Sequence, residues 1–284
     1  MVSARESLKR VFNCPKLILS GAVFGIFYSL IDNYNPLPGI VMGFSGLGGD
    51  FLGTIIAAIS AFLSPWTFFK GLIYLIFLIL GISFILGLYM SGFMNLMRSV
   101  GLSGSKGKNA FIEGIRKNFG RSVKGSIIFL VSSVMLVIVS VIALLPAMTT
   151  MWAALHGKGG VLPITLFITV LSVFAVFFIL LFYNVYAAFW YPAISMGYIK
   201  FIRVSKKVID NYFFEVAGKV FKYTLEFLLI TLACILIRYF FSGVFQNFII
   251  YLILLVVEGF FITLWFLRLT NYVTYTFTRL AEKY

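Results

Sequence analysis

The chain has 284 residues, of which 61% are apolar and only 11% charged, with a formal net charge of +14. A water-soluble domain is about half apolar and a quarter charged, so lipid must solvate much of this chain. One histidine, His156, and two cysteines, Cys14 and Cys234, supply no metal-ligand spacing, and both thiols read as structural.

A hydrocarbon layer about 30 Å thick is crossed by about 20 apolar residues in a helix. The chain opens on a basic segment containing Arg5, Lys9, Arg10 and Lys16. Ser7–Lys16 reads as a short amphipathic helix, and Pro15 suits the first turn of the span that follows. That span, Leu17–Tyr34, lacks an A-x-A-like cleavage site after it and reads as an uncleaved signal-anchor. The stretch Gly39–Gly53 is rich in glycine but has neither a Gly-Lys-Ser/Thr ending nor an intact G-x-G-x-x-G, so a membrane-hugging loop is expected and not a nucleotide site. Phe51–Leu63 is apolar but too short to span, and is expected to be interfacial or re-entrant. Further spans follow at Trp66–Met94, Ser126–Trp152, Leu162–Trp190, Leu225–Phe241 and Phe248–Leu267, six in all.

Positive charge orients these spans. Of the 23 Lys and Arg residues, all but Lys70, Lys158 and Arg238 fall before span 1, between spans 2 and 3, between spans 4 and 5, or from the end of span 6 onward. Such loop asymmetry marks the cytoplasmic face. The expectation is therefore a multi-pass protein of the cell membrane with both termini cytoplasmic, and the charge needs no nucleic acid to explain it.

The basic connections carry apolar stripes. Phe111, Ile112, Ile115, Phe119 and Val123 share one helical face, as do Val208, Ile209, Tyr212, Val216 and Val220. The stripes superimpose at a shift of 97 residues (Phe111 onto Val208), which also pairs Glu113 with Asp210 and Tyr89 with Tyr186. Phe111–Lys124 and Val208–Lys222 thus read as amphipathic elbow helices lying in the inner headgroup region. The fold class expected is all-α: a single integral membrane domain, 1–284, of six transmembrane helices built as a pseudo-repeat of hairpin units at about 1–97, 98–199 and 200–284. With its elbows and the span endings Tyr89-Met-Ser-Gly92 and Tyr186-Ala-Ala-Phe-Trp-Tyr-Pro192, the chain resembles the six-helix membrane domain found with some bacterial glycerophosphodiester phosphodiesterases, and its stand-alone relatives. The resemblance implies a six-helix fold and no activity, because the phosphodiesterase domain is not in this sequence.

Glu258 is a carboxylate deep within a span, where charge requires a partner. Counting residues across the last hairpin puts it opposite Ile230, with Glu226 a turn nearer the cytoplasm, so Glu258, Glu226, Asn184 and Tyr183 form a candidate intramembrane polar site. It reads as a proton or cation relay, or as hydrogen bonding that fixes helix packing. Arg238 is expected to snorkel to the outer headgroups. Trp66, Trp152, Trp190 and Trp265 suit interfacial belts. Arg116, Lys117, Arg121, Lys124, Lys206, Lys207, Lys219 and Lys222 are candidate contacts to anionic lipid headgroups.

No nucleophile–base constellation, metal cluster or cofactor motif is present, so an enzyme is not expected. The reading is a scaffold or partner subunit that recognises lipid or another membrane protein. The alternative is a small transporter or channel using the intramembrane carboxylate, either unpowered, ion-coupled or served by a separate ATPase subunit.

Overall fold

A computed structural model describes residues 3–33, 65–104, 107, 109–155, 162–240 and 248–282. The expectations for Gly39–Gly53, Phe51–Leu63, Lys158 and His156 lie outside these residues. Every regular element among the described residues is helical.

Ser3 caps α1 (Ala4–Phe12) by accepting from the Glu6 N–H at 3.2 Å, and Glu6 pairs with Arg10 at 2.6 Å one turn on. The chain then bends by 80°, and Pro15 opens α2 (Pro15–Asn33) as its position suggests. Next come α3 (Pro65–Gly101), α4 (Ala110–Leu155), α5 (Leu162–Ala187), α6 (Trp190–Ser195), α7 (Phe201–Asp210), α8 (Phe213–Phe240) and α9 (Phe248–Ala281). Five helices are long and apolar enough to cross a membrane, or six if the bent pair α1 and α2 counts as one.

Several helices are longer than a hydrocarbon core is thick. At 1.5 Å per residue the 46 residues of α4 extend about 69 Å, more than twice a hydrocarbon core. Phe111–Lys124 is accordingly no separate elbow: it forms the first turns of α4, without a break. Val208–Lys222 instead straddles a turn between α7 and α8. The second stripe turns toward protein and the first does so in part, with Ile112 left 67% exposed. Val208, Ile209, Val216 and Val220 are buried, and the Phe119 ring meets Phe84 edge-on at 5.2 Å. An amphipathic stripe records only that one face leaves water, and neighbouring helices receive the second stripe and part of the first. The fourth expected span also ends early: α5 stops at Ala187, and Trp190–Ser195 forms a separate short helix.

Small residues set the helix crossings. Gly21 and Gly25 of α2 lie against α9, where a Cβ on Gly25 would come within 2.2 Å of the Gly259 carbonyl oxygen. On the α3–α4 pair, a Cβ on Gly114 would meet the Ser91 carbonyl at 2.4 Å, and Asn95 Nδ2 donates to the Ala110 carbonyl at 2.7 Å. Neighbour contacts run α2–α9–α8–α5–α4–α3 and back to α2, closing a ring.

The ring is unequally packed. At the end carrying the α3–α4 turn, hereafter the basic end, Phe93, Met97, Phe189, Ile194, Ile209, Leu267 and Phe277 are all buried. Each residue of α6 is buried there, and α6 touches α3, α4, α7 and α9, so it plugs the floor of the ring. Toward the other end burial falls, although Thr165 Oγ1 of α5 still donates to the Thr150 carbonyl of α4 at 3.2 Å. The most apolar 18-residue window of α4 has 0% of its residues buried, and that of α5 only 11%.

Candidate functional site

The α2–α9 crossing that brings Gly25 onto Gly259 also brings Ser29 beside Glu258 one turn further along. Ser29 Oγ donates to Glu258 Oε2 at 2.7 Å, and the Arg238 guanidinium of α8 donates to that same oxygen. Glu258 is 1% exposed and Arg238 23%. Arg238 therefore turns into the bundle and does not snorkel outward. The register is two turns away from the expected one, placing Glu258 level with Arg238 and not with Ile230. A carboxylate in an apolar layer gains far more from a guanidinium than from an isoleucine, and that contact accompanies the register seen.

Glu226 is not Glu258's neighbour. It pairs with Arg268 at 3.2 Å, and Arg268 lies 5.7 Å from the Tyr223 ring centre. Tyr183 is elsewhere again, its hydroxyl shared among Ser132 Oγ and Ser133 Oγ, both at 2.9 Å, and the Phe129 carbonyl at 3.0 Å. The four residues expected to converge thus occupy four positions, three of them with partners of their own. The sequence signal for the true arrangement was present, since Arg238 and Arg268 are the arginines on the last two helices facing Glu258 and Glu226.

Asn184 lines a half-enclosed cavity of about 330 Å³ above the α6 plug. All six helices of the ring contribute to its wall, including Phe24, Met90, Phe129, Phe227 and Trp265. Its volume is at the low end of ligand pockets, which run from ~300 to 1,000 Å³. Trp265 Nε1 donates to the Tyr223 carbonyl at 2.8 Å, and Trp190 is 9% exposed, so these two indoles serve the interior rather than an outer belt. An indole that finds a carbonyl inside the bundle needs no headgroup.

Arg116, Lys117, Lys124, Lys206, Lys207, Lys219 and Lys222 are exposed at the basic end. Arg121 differs, donating to the Gly197 carbonyl at 3.0 Å where the backbone takes a left-handed turn (φ +90°) after α6. Arg98 reaches the Ser195 carbonyl at 3.3 Å, so two basic residues hold the C-terminal end of the plug. Among the described residues no cluster of His, Cys, Asp and Glu is arranged to hold a metal ion. No family model matches the chain, and no curated protein or solved structure is similar to it.

Proposed function

We propose that this is a non-enzymatic integral membrane protein whose central cavity holds a hydrophobic molecule, acting as a lipid-recognising scaffold or subunit. In this reading six helices cross the cell membrane, α2 being the first, while α1 lies against the basic end, which faces the cytoplasm together with both termini. The exposed lysines of that end meet anionic headgroups of the inner leaflet.

The cavity carries the proposal. Its walls are mostly aromatic and aliphatic, all six helices of the ring contribute to them, and α6 closes it toward the basic end. Water has few partners in such a space, whereas lipid chains are abundant beside it. The ion pairs weaken the transporter alternative: the two candidate carboxylates, Glu226 and Glu258, already face arginines, so a relay through either would have to break its pair first. The resemblance to the phosphodiesterase-associated membrane domain implies a six-helix fold and adds no chemistry.

Native mass spectrometry of protein extracted gently with its own lipids tests this. Wild type should retain a bound hydrophobic molecule that Ala188→Phe, which fills the cavity wall, releases. Equal retention by folded wild type and variant would sink the proposal.

A further inference from the structure

The next step rests on the cavity reading above and names the ligand's chemistry. Among the residues lining the cavity none carries a charge, and the polar side chains are Asn184, Tyr191, Thr224 and Thr270. Three of these are engaged. Tyr191 Oη and Ser126 Oγ share a hydrogen bond at 2.8 Å, Thr224 Oγ1 donates to the Val220 carbonyl at 3.0 Å, and Thr270 Oγ1 donates to the Phe266 carbonyl at 2.6 Å. The Asn184 amide makes no side-chain hydrogen bond among the described residues, which leaves two donors and an acceptor at the cavity wall.

A phosphate or carboxylate placed there would lose its water and meet no cation, which is prohibitive in an apolar site. A bare alkane would leave the Asn184 amide unanswered, also at a cost. We infer that the cavity selects an uncharged lipid with a small hydrogen-bonding end, of the diacylglycerol or long-chain alcohol class. Its hydroxyl donates to Asn184 Oδ1 and accepts from Nδ2. The depth fits. Asn184 lies in the last turn of α5, near the α6 floor, so a polar end held there directs its chain away from the plug, along the apolar wall of Phe24, Phe129 and Phe227. A second copy of this protein could not enter the ring, and an anionic phospholipid belongs outside it, against the exposed lysines.

The test is a competition on the full-length protein in detergent, read by native mass spectrometry. Dioleoylglycerol and dioleoylphosphatidylglycerol are offered at equal mole fraction; they share both chains and differ at the polar end. Wild type should retain the neutral lipid about tenfold more than the anionic one, and Asn184→Leu should lower that retention about fivefold without lowering the melting temperature. Equal retention of the two lipids by wild type would overturn the selectivity with no variant needed. So would undiminished retention in Asn184→Leu. If Ala188→Phe still expels both lipids, the cavity reading survives that loss; if it expels neither, both fall.

Discussion

Removing Arg238 should be more damaging than removing its partner, because the two charges are unequally trapped. Arg238→Leu leaves Glu258 buried at 1% exposure, still accepting from Ser29 but without its guanidinium. Breaking a buried pair from one side costs about 3–5 kcal/mol, and Glu258 is too short to reach the headgroups. Glu258→Leu instead leaves an arginine that is 23% exposed and two residues from the end of α8, where it can swing outward. That change should cost about 1–3 kcal/mol. The double variant should fall near the milder single one, since a leucine pair is at home in this layer, giving a coupling of at least about 2 kcal/mol. Unfolding by graded addition of a denaturing detergent, followed by tryptophan fluorescence, measures all four corners of the cycle. Additive losses, or a Glu258→Leu variant less stable than Arg238→Leu, would refute the reasoning.

Gly25→Val should disrupt the α2–α9 crossing by about 1–3 kcal/mol or more, given the 2.2 Å approach to Gly259 and Thr263, while Gly81→Ala, with nothing within 4 Å, should be neutral or slightly stabilising in the same assay. Tyr183→Phe should cost about 0.6 kcal/mol, the usual worth of an interhelical hydrogen bond in a membrane, by releasing Ser132 and Ser133. Arg121→Ala should loosen the turn at Gly197 and raise amide exchange in 190–197 before the rest of the base. Reporter fusions at Gly104 and Gly159 should read inside and outside respectively; the reverse would overturn the proposed orientation.

Much of this architecture was legible because hydropathy and length constrain lipid-solvated helices so strongly. Each apolar stretch within the described residues lies in a helix, and Pro15 starts one where its missing N–H costs nothing. Helix ends were less legible: α3, α4 and α9 run beyond their apolar stretches because their end turns still bury Met97, Asn118 or Phe277 against neighbours. The stripes at Phe111–Val123 and Val208–Val220 could serve lipid or protein equally, and only tertiary contact decides. Register was hidden too. Counting residues from the last hairpin placed Ile230 beside Glu258, whereas a charge-matching argument would have chosen Arg238. The α6 plug gave no signal, since Trp190–Ser195 reads as the end of a span until its neighbours are known.

The central claim is that six helices enclose an apolar space that a hydrophobic molecule fills. An electron cryo-microscopy map of the protein in a lipid nanodisc tests it most directly. The account predicts elongated density among Phe24, Phe129, Phe227 and Trp265, ending at Asn184. Helices collapsed onto one another there, with no room for a chain, would contradict it.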